Sequence, residues 1–169
     1  MKIRRATHED ALAIARVHVR SWQAAYRGLI DDEFLDALRP EDRAPIYKFG
    51  AAADGGIETI VSEVGREIVG FSAFGPCRDA DAAGAGEIYA LYIDPGHVGT
   101  GAGRELLLES RRRLAAAGFS DGVLWVLRGN EGAERFYAAD GWRRDGAARE
   151  EDPYGPVVEV RRFRRRLGD

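Results

Sequence analysis

Between two apolar stretches the chain reads Gly96-His97-Val98-Gly99-Thr100-Gly101-Ala102-Gly103-Arg104. This glycine cluster follows a strand pattern and opens a helical one. Residues of this type in this place suit the binding of a phosphate. The first amides of a helix lack intrahelical acceptors, the helix dipole adds positive potential behind them, and glycines let an anion approach the main chain closely. Two phosphate motifs fail on the spelling. A GxxxxGK[ST] loop started at Gly96 meets Ala102-Gly103 where Lys-Ser/Thr is required. A GxGxxG fingerprint started at Gly99 meets Arg104 in place of its third glycine. The preceding strands also pattern as an antiparallel hairpin, which does not suit a dinucleotide-binding half.

Other reactive side chains are sparse. Cys77 is the single cysteine, which excludes an internal disulfide and a multi-cysteine metal site. No His/Asp pattern accompanies it. His8, His18 and His97 lack metal-ligand spacing and read as surface or helix-face residues, so no metal is expected. Asn130 precedes a helical pattern as a good N-cap. The arginines Arg161, Arg162, Arg164, Arg165 and Arg166 read as charges on an edge strand or tail, where they discourage aggregation.

The elements that must position these residues follow from periodicity. The 169 residues fit one domain, 1–169, and 45% hydrophobic with 31% charged content is ordinary for a globular chain. A net charge of −3 gives no electrostatic footprint for nucleic acid. No apolar run reaches a membrane span and the N-terminus lacks a signal pattern, so with one cysteine a reducing, cytoplasmic location is expected. Residues 2–6 predict a strand. Thr7 and Asp10 predict a capping box for a helix over 8–27, with Leu12, Ala15, Val19, Trp22 and Tyr26 on its stripe and a break near Ser21. Short helices are predicted over 31–38 and 41–49, a hairpin over 57–64 and 67–74, and a flexible loop over 75–86. Residues 87–93 predict a buried strand and 101–117 a helix with Leu106, Leu107, Ser110 and Leu114 inward. A strand over 123–127, a helix after Asn130 and strands over 142–147 and 157–163 complete a β-α-α-β-β-β-α-β-α-β-β order. That order is α/β with one mixed sheet.

Four segments in sequence resemble the GNAT superfamily of N-acetyltransferases over about residues 2–147. Val98-Gly99-Thr100-Gly101-Ala102-Gly103 is similar to its pyrophosphate loop, Gln/Arg-x-x-Gly-x-Gly/Ala, with Val98 a departure at the Gln/Arg position. Glu87 to Pro95 resembles the family's fourth strand running into that loop. Leu124 to Asn130, followed by Ala133, Phe136-Tyr137 and Gly141-Trp142, resembles its second half. The opening, Ile3 to Thr7 and Trp22 to Gly28, is similar to a bacterial branch.

The resemblance implies a sheet whose fourth and fifth strands splay, with acetyl-CoA in the gap. Its pantetheine arm would lie on Leu91, Tyr92 and Ile93, and its pyrophosphate on amides of Val98, Gly99, Thr100, Gly101, Ala102 and Gly103. Arg104 stands as either a phosphate contact or a solvated first-turn residue. Asn130 stands as helix cap, pantetheine contact, or both. The implied reaction is direct transfer of acetyl to a primary amine of a small molecule. An amide of Tyr92 or Ile93 would polarise the thioester, Tyr137 would act as general acid, and Glu87 would take the amine proton directly or through water. Trp22, Tyr26, Tyr89 and Tyr154 are candidates for the acceptor pocket, with Asp32, Asp79 and Asp81 as attractors of a cation. A protein amine acceptor and a non-catalytic coenzyme A sensor are the rival readings. The resemblance allows a homodimer.

Overall fold

The computed structural model describes residues 1–49, 54–152 and 156–168. Strand β1 (Lys2–Arg5) leads through a turn of 3-10 helix into α1 (Ala11–Ala25). The Asp10 carboxylate accepts from the Thr7 amide at 2.8 Å and takes both terminal nitrogens of Arg4, which ties the helix entry to β1. Then come α2 (Asp32–Ala37), α3 (Pro40–Arg43), β2 (Glu58–Val64), β3 (Glu67–Pro76), β4 (Gly86–Ile93) and α4 (Ala102–Ala116). The chain closes with β5 (Asp121–Leu127), α5 (Glu131–Ala139), β6 (Arg143–Glu151) and β7 (Val158–Arg166).

The strands form one seven-stranded sheet in the order β1-β2-β3-β4-β5-β7-β6, antiparallel except where β4 meets β5. Strand alternation sends Ile60 and Ile88 to one face and Val61 and Phe71 to the other. On the first face lie Leu106, Leu107 and Leu114 of α4 and Tyr137 of α5; on the second lie Ile14 and Val17 of α1. Each fully buried leucine contributes about 2 kcal/mol by removal from water. Among the described residues no helix is long and apolar enough to cross a membrane.

Four expectations are corrected. Helix α1 is unbroken at Ser21, whose hydroxyl donates to the carbonyl of Ile93 on β4 rather than competing for its own helix. Its buried face is wider than the stripe: Ala15, Val19 and Trp22 are buried as expected, Ile14, Val17 and His18 join them, and Leu12 is exposed. The helix predicted over 41–49 stops at Arg43 and gives way to a 3-10 turn, Ala44–Ile46, because Pro45 has no amide to continue the ladder. Strand β7 is not at an edge. It lies between β5 and β6, and its arginines meet acids: Arg161 with Glu159, Arg164 with Asp121, Arg165 with Asp140. Arg162, 5% exposed, binds Asp79, Asp81 and Asp145.

Candidate active site

Strands β4 and β5 share three residue pairs, Gly86 with Gly122, Glu87 with Val123 and Ile88 with Leu124, and then part. On its other side β4 stays paired with β3, apart from a register shift that makes Tyr89 an extra residue opposite Ala73 and Phe74. The amide of Asp94 donates to Val69 at 2.8 Å, and Tyr92 stands two residues earlier opposite Phe71. By the alternation of an antiparallel ladder, the main-chain groups of Tyr92 and Asp94 turn toward β3 and those of Leu91 and Ile93 turn toward the gap. Ser21 accordingly reaches the Ile93 carbonyl from α1. Of the two amides expected to face the gap, Ile93 does so and Tyr92 does not.

The gap widens into a cleft of about 650 Å³ lined by β4, β5, the glycine loop and α5. In the loop Gly99 and Gly101 have φ of 82° and 93°, the left-handed region that side chains disfavour. A Cβ on Gly101 would point into open space, while one on Gly103 would lie in ordinary contact with Ile93 and Phe136 at 3.4 Å. The first bond of α4 runs from Glu105 to Gly101, which leaves the amides of Ala102, Gly103 and Arg104 without helical acceptors. Val98, Gly99, Gly101, Gly103 and Arg104 line the cleft. Thr100 does not: its amide and hydroxyl both donate to the His97 carbonyl, the latter at 2.7 Å. Ala102 is buried beneath the loop. Asn130 accepts from the Ala133 amide at 3.2 Å and so caps α5, and it lines the cleft as well. The unclaimed amides, the cleft-facing edge of β4 and the volume together fit a long ligand with an anionic end and an amide-bearing arm.

Tyr137 projects from α5 into this cleft. It is 8% exposed, packs against Phe136 and Trp142, and burial drives its phenol well above its ordinary range. Tyr26 is raised likewise, by burial first and then by Tyr92. Both phenols therefore keep their protons at neutral pH.

A second cleft, of about 340 Å³, shares Tyr26, Tyr89, Tyr92 and Trp125 with the first and reaches Trp22, Tyr47 and Phe71. Glu87 lies on it, 1% exposed, and accepts three bonds from Arg78: the amide at 3.0 Å, Nε at 3.2 Å and a terminal nitrogen at 2.7 Å. Tyr89 donates to the Pro76 carbonyl, and burial followed by the Glu87 charge pushes its phenol up to about 12. Trp22 is both core and cleft wall, 5% exposed and 5.1 Å from the ring of Tyr26. Tyr154 lies outside the described residues.

The acids expected to attract a cation are elsewhere or occupied. Asp32 is exposed and 3.5 Å from Arg27. Asp79 and Asp81 bind Arg162, and Asp79 also binds Arg149 at 2.5 Å. Burial opposes the charge of Asp79, but Arg162 and Arg149 outweigh it and hold the carboxyl below its ordinary value. Burial raises the Cys77 thiol, so it is no activated nucleophile.

Two residues went unrecognised in the sequence. His18 is buried on α1, stacked on Tyr92 at 4.8 Å and bonded through Nδ1 to the Tyr47 hydroxyl. Burial, helped by Arg43, lowers its pKa to about 3, so it is neutral. Its i+4 spacing from Ile14 and to Trp22 was the available signal. Trp125 walls both clefts beneath Arg149, whose guanidinium carbon lies 3.9 Å from the ring centroid.

Residues 17–142 match the model of the Acetyltransferase (GNAT) family. The chain is 34% identical over 128 residues to an uncharacterized N-acetyltransferase, YuaI, of Bacillus subtilis, covering 76% of this chain and 72% of the relative. It is 34% identical over 154 residues to an uncharacterized N-acetyltransferase of Archaeoglobus fulgidus, covering 85% and 94%. The fold is similar to the crystal structure of the PaiA N-acetyltransferase from Thermoplasma acidophilum in complex with coenzyme A, with a TM-score of 0.72, 20% identity and 98% of each chain covered.

Proposed function

We propose, on the premise that this chain belongs to the acetyltransferase (GNAT) family, that it transfers acetyl from acetyl-CoA directly to a primary amine of a small molecule. Bound acetyl-CoA supplies an activated acetyl group and a sulfur leaving group. In the transfer a C–N bond forms and the C–S bond breaks; the amine nitrogen loses a proton and the sulfur gains one.

The amides of Ala102, Gly103 and Arg104, with the Val98–Gly99 turn, hold the pyrophosphate, and the Arg104 guanidinium stands exposed beside them. Leu91 and Ile93 present main-chain groups to the pantetheine arm, and an amide of this pair stabilises charge developing on the acetyl oxygen. Tyr137, which keeps its proton, donates it toward the sulfur. Glu87 lies on the acceptor side with both oxygens accepting from Arg78, and it takes the amine proton through water.

The observation that carries this reading is the parting of β4 from β5 after Ile88, which opens onto the glycine loop on one side and Tyr137 on the other. Free-thiol release from acetyl-CoA across an amine panel tests it. Release that requires both an amine and the protein is expected. Coenzyme A binding without release on any amine would replace the transferase with a coenzyme A sensor.

A further inference from the structure

The second cleft has a chemical character of its own. Trp22, Tyr26, Tyr47, Phe71, Tyr92 and Trp125 wall it. His18 joins them as a neutral ring stacked on Tyr92. Among the described residues the charged groups on the cleft are Arg78, Glu87 and Glu151. Each carboxylate faces an arginine: Glu87 accepts from Arg78 at 2.7 Å, and Oε1 of Glu151 accepts from Nε of Arg149 at 2.7 Å.

We infer that the acceptor is an arylalkyl monoamine, its ring among these aromatic walls and its single amine directed through the β4–β5 gap. The inference rests on the transferase reading and names the substrate class of that site. A polyamine brings a second ammonium, and among the described residues the cleft offers it only Glu87 and Glu151, each already facing an arginine. Burying an unpaired charge costs several kcal/mol. A lone amine is better served. An aromatic face attracts an arriving ammonium by about 0.5–2 kcal/mol, and desolvation among the rings then favours the neutral form that must attack. The volume of about 340 Å³ holds one ring and a short tether and lies at the small end of ligand pockets. The two clefts share Tyr26, Tyr92 and Trp125, so an amine held in the second faces the first across the parted strands.

The test is calorimetric titration of phenethylamine, spermidine and a short peptide into the protein saturated with coenzyme A, a complex that cannot turn over. Phenethylamine is expected to bind at least about tenfold more tightly than either competitor, a difference of roughly 1.4 kcal/mol. Ile46 is exposed on this cleft, so Ile46→Glu adds a carboxylate without disturbing the core. It should shift the preference toward spermidine by about fivefold. Equal or tighter binding of spermidine or the peptide to the unmodified protein overturns the inference, as does an absence of saturable binding of phenethylamine. Thiol release from acetyl-CoA is measured alongside. Release with spermidine and none with phenethylamine removes the aromatic acceptor but leaves the transferase standing. Binding of phenethylamine with no release on any amine removes the transferase while the cleft's preference stands.

Discussion

The indole of Trp125 donates its Nε1–H to Asp79 at 3.0 Å. One link of the ion network around Arg162 therefore ends on a wall of both clefts, and an aspartate on the loop before β4 fixes the ring against which substrates rest. Asp79→Asn keeps the shape and removes the charge that offsets Arg149 and Arg162. Asp81 and Asp145 still hold Arg162. We expect a loss of about 2–4 kcal/mol in urea unfolding. The acceptor KM should rise severalfold and by more than the Kd for coenzyme A, since Trp125 walls both clefts but the pyrophosphate amides lie on the glycine loop. Equal changes in both would mean that Asp79 acts only on global stability.

Tyr137→Phe preserves the ring contacts with Phe136 and Trp142 and removes the proton that burial retains. The kcat should fall by about 10²-fold, the lower end of positioned acid catalysis, with coenzyme A affinity unchanged by calorimetry. Because the phenol is held well above its ordinary range, kcat in the unmodified enzyme should show no decline from Tyr137 ionisation up to about pH 10.

Gly101→Val forces a β-branched residue to a φ of 93° at the cap of α4. Strain of about 1–3 kcal/mol should pull the first turn out of shape and scatter the amides of Ala102 to Arg104. Coenzyme A binding should weaken by at least about 100-fold with a modest change in melting temperature. Normal affinity would move the phosphate site off this loop.

His18 makes stability depend on acidity. Its folded pKa of about 3 lies below its ordinary 6.5, so between those values the unfolded chain binds a proton that the folded chain does not. Stability from this residue is complete above about pH 6.5 and falls by up to roughly 1.4 kcal/mol per pH unit on acidification. Urea midpoints between pH 6.5 and 4.5 should drop in the unmodified protein and flatten in His18→Phe.

The order of strands and helices was legible because each element carries its own periodicity, as α4 does with Leu106, Leu107, Ser110 and Leu114. The loop and the Asn130 cap were legible because their physics is local. The insertion of β7 between β5 and β6 was not, since pairing between distant segments leaves no mark on either alone. Nor was the burial of Arg162: an arginine in an arginine-rich strand reads as solvated until Asp79 and Asp81, from the loop before β4, and Asp145, from β6, are brought to it. Which amide of β4 faces the gap also depended on register with β3, which composition does not encode.

The short parallel pairing of β4 with β5 joins the two halves of the sheet by only three rungs. Beyond Ile88 each half carries an interior edge, with hydrogen-bonding groups that a neighbouring chain could otherwise recruit as a strand. The extra residue at Tyr89 and the rings that crowd the opening keep this edge short. A ligand that brings its own amides would act there as a borrowed strand, so that filling the site mends the sheet and couples occupancy to the rigidity of the whole fold.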